Sequence, residues 1–357
     1  MMPIDAIPGW EARLARQDAF WDRAILDRPV VHIEFPRSDP ARPWPDPARF
    51  ASHRDRWLDV DFQVESALAY AANTEFHGDA LPRYWPNLGP EVFSAFFGQA
   101  LVFGADTSWS EPCLDNWEDA GQLQFSEDNS YWRRLNKMTD ALLDAGQGKY
   151  YTGLTDFHPG GDAIAAFRDP MRLNLDLLTN PQDVKRLLSR VTATFLGVYD
   201  LCFKKLRENE QAITTWAGLV STRKWYVPSN DFSCMISPEM FQEFFLPGIV
   251  DECQHLDAAI YHLDGPGALR HLDALLEVPG INAIQWIYGA GHGRASDWLP
   301  VYGRCQQAGK GIQLWVDLDE IGAIMANLRP QGVWMGIHGI RDQDSAAAVL
   351  QELTKWR

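Results

Sequence analysis

The sequence predicts an α/β fold: a (β/α)8 barrel of TIM type with a helical and irregular N-terminal extension. Three observations lead there. From Asp257 onward, the apolar runs DAAIYHL, NAIQWI, GIQLWV and GVWMGI alternate with amphipathic stretches. Their spacing, about 20 to 30 residues, is that of a strand, a loop and a helix, and right-handed crossovers of such units build a parallel sheet or barrel. The chain of 357 residues also suits an α/β barrel, which commonly takes about 250 residues or more as one unit.

Earlier strand candidates are VVHIEF at 30–35, ALVFGA at 100–105, KYYTGLT at 149–155 and AITTWAGL at 212–219. The N-terminal segment, rich in Pro, Trp and Arg (ARPWPDPARF), reads as an extension and covering layer. One domain over 1–357 is expected, with 1–95 as extension and 96–357 as main barrel. The stretch 181–206 carries apolar residues at helical spacing and opens with Asn180 as cap and Pro181 in the first turn. In SPEMFQEFFLP, Ser237 caps a helix, Pro238 starts it, and Pro247 is expected to kink or end it.

Composition bounds the partners. A hydrophobic content of 46% with 22% charged residues describes an ordinary globular chain. The formal charge of -16 and the lack of a Lys/Arg cluster argue against nucleic acid. Five scattered cysteines without a C-x-x-C suit a reduced compartment, so cytoplasm is expected. No signal peptide or membrane span is predicted. An acidic barrel with exposed aromatics is compatible with a homodimer, though no motif specifies one.

In a parallel barrel, functional groups sit where strands end. His262 and Asp264, two apart in an extended chain, share a face, and His338 ends the last predicted strand. Two imidazoles and a carboxylate there would hold one divalent ion with positions left open; zinc, iron, manganese and cobalt all accept such donors. The competing reading makes Asp264-Gly265 a turn and His262 a hydrogen-bonded inner residue. Asp156 and His158, again two apart, are a rival ligand pair or a general acid/base couple, with Asp231 as a further catalytic candidate.

Substrate contacts are expected from Trp109, Glu111, Trp216, Arg223, Tyr226, Gln285, Trp286 and Trp315, all placed at or near predicted strand ends. An aromatic mouth suits a methylated ammonium or an aromatic ether, and Arg223 a carboxylate or phosphate. For any single Trp, packing of a helix on the sheet is the plainer explanation. No dinucleotide fingerprint, Walker loop, G-x-S-x-G or H-E-x-x-H is present.

The segments NDFSCMISPEMFQEFFLPGIV and IYHLDGPGALRHLDALLEVPGINAIQW, with support from GGDAIAAFRDPMRLNLDLLTNPQDVKRLL, resemble the uroporphyrinogen decarboxylase (URO-D) superfamily and its corrinoid-linked (cobalamin-linked) methyltransferase branch. The resemblance implies a (β/α)8 barrel with its site at the strand C-termini. The decarboxylases carry an R-Q-A-G-R stretch for substrate carboxylates; here the region reads RPVVHIEFPR, which argues against porphyrinogen decarboxylation. The methyltransferase branch binds zinc through an H-x-C pair and a later Cys, where this chain has His262, Asp264 and His338.

The resemblance therefore implies a metal-dependent methyltransferase-like enzyme, zinc first among the candidate ions, acting on a small methylated substrate. A corrinoid would come only through a partner protein, since no D-x-H-x-x-G segment is present. The alternatives are a metal-free decarboxylase or lyase using Asp106, Asp156 or His158 for protons and Arg223 for a carboxylate, and a non-catalytic ligand-binding barrel.

Overall fold

The computed structural model describes residues 1–357. Seven strands form one sheet in the order Thr74–Gly78, Val30–Pro36, Val333–His338, Gly311–Asp317, Ala283–Ile287, Ala258–Asp264, Trp225–Tyr226. All neighbours are parallel except Thr74–Gly78, which runs antiparallel to Val30–Pro36. Arg83–Tyr84 and Tyr151–Thr152 form a second parallel pair. Leu154 N donates to Thr214 O at 2.8 Å and carries the wall on to Ile213–Thr214. With helices outside, this is the α/β barrel that the βα repeat predicts. No helix is long and apolar enough to cross a membrane.

The four late strands match the four late apolar runs, because each is buried on both faces and reads as a continuous hydrophobic stretch. The earlier wall is built from shorter pieces. Tyr151–Thr152 ends at Gly153, where a Cβ would stand 2.8 Å from Thr214 O, so only glycine allows the two backbones this approach. The ALVFGA segment departs from expectation. Leu101–Phe103 pairs antiparallel with Ser108–Ser110 in a separate ribbon, because Gly104–Thr107 closes a tight turn with Gly104 N on Thr107 O.

The helix Pro181–Glu208 buries Val184, Leu187, Leu188, Val191, Phe195 and Val198 along one face, as its spacing requires. Asn180 occupies the cap position without capping; its amide donates instead to Asp176. Ser237 does cap, accepting from Met240 N at 3.3 Å. Pro247 does not end the helix that follows. A π turn over Phe241–Phe245 widens the backbone just before it, and the helix resumes as Leu246–His255. The wider turn accommodates the missing N–H and the pyrrolidine ring.

One polar group bridges a seam inside the wall. Glu34 Oε2 accepts from Tyr70 OH at 2.8 Å, meets His32 Nε2 at 3.1 Å, and pairs with Arg83 Nη1 at 3.2 Å. Val30–Pro36 and Arg83–Tyr84 belong to separate hydrogen-bonded sheets, so this ion pair links them where ladder hydrogen bonds do not.

Candidate functional site

The loop after Tyr151–Thr152 carries Asp156 and His158, and Tyr226 fixes it from below. The Tyr226 hydroxyl donates to Thr155 O at 2.9 Å and accepts from Phe157 N at 2.5 Å. Fully buried, Tyr226 supports the site and is no substrate contact, contrary to the sequence expectation. Next, the helix Gly160–Arg168 presents Asp162 from its first turn. Its carboxylate accepts from Asp231 N at 3.0 Å, Phe232 N at 2.9 Å and Ser229 Oγ at 3.4 Å. These bonds tie the 229–232 segment to the helix and set Asp231 at the barrel mouth.

Four side chains then converge on Asp231. His158 Nδ1 lies 4.0 Å from Asp231 Oδ2 and 3.9 Å from Asp162 Oδ2, while its Nε2 reaches Asp156 Oδ1 at 3.2 Å. On the other side, His262 Nε2 lies 3.9 Å from Asp231 Oδ1. Two donor sets result, His158–Asp162–Asp231 and Asp231–His262–Asp264, each with its ligand atoms within 4.8 Å of one another. Burial alone would lower the His158 pKa, but the charges of Asp156, Asp162 and Asp231 outweigh it and push it up to about 10. The three carboxylates thus favour the protonated imidazole of His158. Asp162 is raised by burial and by the Asp231 charge, against His158 and its N–H donors.

The protonation of His262 follows from a chain of amides. Gln313 Nε2 donates to Ala217 O at 2.7 Å, so its Oε1 accepts from Gln285 Nε2 at 3.0 Å. Gln285 therefore turns Oε1 toward His262 Nδ1, 2.5 Å away. In the neutral ring the proton then sits on Nδ1, and the Nε2 lone pair faces the carboxylates. An Nε2 lone pair and a carboxylate oxygen at 3.9 Å do not hydrogen-bond, and Asp231 Oδ1 is shielded from solvent without a partner. The gap exceeds only slightly the roughly 3–3.5 Å between two atoms sharing an ion at bonds of about 2.1 Å. One imidazole and two carboxylates thus fit a divalent cation.

Because Gln285 holds that tautomer, Gln285→Leu is expected to weaken metal binding about 10- to 100-fold while leaving the barrel folded. Competition with a fluorescent chelator measures it, and unchanged affinity would remove the amide chain from the explanation.

Several expected residues lie elsewhere. His338 joins neither donor set. It ends the strand three positions along the sheet from His262 and stacks on Trp315, with ring centroids 5.0 Å apart. The residue grouped with His262 and Asp264 is Asp231. Arg223 precedes its strand, so it sits at the opposite end of the barrel, paired with Asp22. Trp286 points out of the barrel, because Gln285 beside it points in, and it packs on Trp298 at 5.1 Å. Trp109 is exposed on the outer ribbon, and Glu111 follows it there. Of the tryptophans proposed as a mouth, Trp216 alone touches the cluster, its ring edge-on to His262 at 5.2 Å.

Asp162 and Gln313 stand outside the residues expected from the sequence. Asp162 had a signal, an acid in the first turn after Pro-Gly-Gly. Gln313 had a better one: the repeated Ile-Gln of AIQWI and GIQLW, which the sheet pairs in register. Beside the cluster opens a cleft of about 470 Å³, bounded by Glu91, Ser110, His158, Asp162, Asp231 and Phe232 among others, with no Lys or Arg in its wall.

No family model matches the chain, and no curated protein matches its sequence. Among solved structures it is similar to a methyltransferase from Methanosarcina mazei, with a TM-score of 0.61 at 11% identity over 96% of this chain and 98% of that one. At that identity the likeness is one of fold.

Proposed function

We propose that this chain is a metal-dependent, methyltransferase-like enzyme of the URO-D type. On this reading it acts on a small methylated substrate and passes methyl to or from a separate corrinoid protein. The observation that carries the reading is the His262 lone pair aimed at the unpartnered Asp231 oxygen, at the strand C-termini of a fold shared with a methyltransferase. Asp231, His262 and Asp264 would hold the ion, which would supply Lewis acidity when bound. Asp231 in place of His338 changes the expected balance. One nitrogen and two anionic donors give the same formal charge as one His with two thiolates, and the difference is the hardness of oxygen over sulfur.

The remaining residues bind and hold protons. His158, kept charged by three carboxylates, can deliver a proton to a leaving group in the cleft. Trp216 walls the His262 side. A cleft with several carboxylates, no Lys or Arg, and His158 already engaged by three carboxylates suits a neutral or cationic substrate. That wall, and the remote position of Arg223, weigh against a decarboxylase or lyase of a carboxylated substrate.

Elemental analysis of purified protein is expected to find about one divalent ion per chain, absent from His262→Ala. Chelator treatment is expected to abolish methyl transfer from a methylated donor to a corrinoid protein, and metal to restore it. Full activity of a metal-free preparation would end this reading.

A further inference from the structure

Behind the Gly160–Arg168 helix lies a second cavity of about 300 Å³, enclosed by the Pro181–Glu208 helix and by the π turn and helix of 241–255. Its floor holds two polar side chains that the fold leaves unsatisfied. Glu252 is 2% exposed, and its Oε2 has no partner. Asn230 is 3% exposed, with neither Oδ1 nor Nδ2 bonded. A buried polar group without a partner is costly to the fold, so a fold that retains both in one cavity leaves room for something that satisfies them. Gly161 keeps that room, since a Cβ there would stand 2.7 Å from Asn230 Oδ1.

The walls decide the sign of the occupant. Oxygen atoms of Ser189, Thr192 and Ser229 accompany the two unsatisfied groups. The one cation at the rim, Lys185, is held by Glu243 at 2.6 Å and by the face of Phe244 at 4.9 Å. A buried carboxyl without a counter-charge is relieved by a proton or by a cation.

We propose that this pocket binds a small monovalent cation of the ammonium class, held between the Glu252 carboxylate and the Asn230 amide oxygen. The site is separate from the metal cluster and does not depend on the methyl-transfer reading. Ser229 lines it and also donates to Asp162, so the two cavities share a wall.

Proton and cation compete for Glu252. Burial, then the charges of Asp162 on the facing helix and Asp251 on its own, push its carboxyl up to about 8. Lys185 across the pocket is already neutralised by Glu243. Below pH 8 the cation must displace a proton, and its apparent affinity falls up to about tenfold per pH unit.

The test is the melting temperature of the purified full chain in ammonium chloride against tetramethylammonium chloride at equal ionic strength. A saturable rise is expected at about pH 8.5, with the midpoint concentration more than about tenfold higher at pH 6.5. Glu252→Gln, near in shape, is expected to lose it. A potassium chloride arm that matches ammonium identifies an alkali-cation source, and one that does not identifies an amine; both support the site. No rise over the control, or the same rise in Glu252→Gln, overturns it. Should that variant fail to fold, wild-type crystals soaked in thallium(I) decide: anomalous density beside Glu252 supports the proposal, and its absence overturns it.

Discussion

Replacing Asp231 with Asn is expected to lower metal affinity by at least about 100-fold, beyond the 10- to 100-fold typical of an outer-shell partner, and to abolish methyl transfer. Asp231 Oδ1 is the shielded oxygen facing the His262 lone pair, and its Oδ2 faces His158. The substitution removes a charge while keeping the shape, and the backbone N–H bond to Asp162 survives. In the metal-free protein the substitution relieves the repulsion that raises Asp162 and removes an attraction to His158, so stability is expected to change little. Metal titration and thermal melting check the two parts together. Tight metal binding by Asp231→Asn would remove this residue from the ligand set, and with it the arrangement proposed here.

The second large effect is on the fold. Arg83→Ala is expected to destabilise the barrel by about 1.5–3 kcal/mol, less than for a fully buried ion pair because the Glu34 side chain is 28% exposed. Arg83 is 6% exposed and Glu34 bridges it to His32 and Tyr70. Burial favours the neutral Glu34 carboxyl, but the hydrogen bond from His32 and the charge of Arg83 hold it below the usual carboxylate range. His32 itself is lowered by burial and by Arg83, so it is a neutral donor, and Arg83 is the charge that keeps Glu34 ionised.

The pH sign follows from the depressed Glu34. As pH falls through about 4.3, the unfolded carboxyl takes up its proton first, so the stability this group contributes above that pH is progressively lost below it. In Arg83→Ala that acid-side loss is expected to flatten. Urea denaturation at several pH values measures both effects. A double replacement, Arg83→Met with Glu34→Leu, is expected to lose less than Arg83→Ala alone, since no charge is then stranded. A single variant within about 1 kcal/mol of the parent would show that the seam is held by packing instead.

The sequence by itself determined the late half of the barrel, because doubly buried parallel strands such as AAIYHLD and GIQLWVD are continuous apolar runs of unambiguous period. It also placed His262 beside Asp264, a consequence of two-residue periodicity, and singled out Asp156, His158 and Asp231. It did not determine which of these meet. Pairs at one strand end are local in sequence, whereas the partner of His262 is selected by strand order, which sets His338 three strands away and swings Asp231 in on the turn that Asp162 anchors. Whether a strand-end residue faces the mouth, as Gln285 does, or turns outward like Trp286 depends on register. Whether it lies at the mouth at all, as Arg223 does not, depends on which end of its strand it occupies. Those are properties of the closed sheet, and only the tertiary structure decides them.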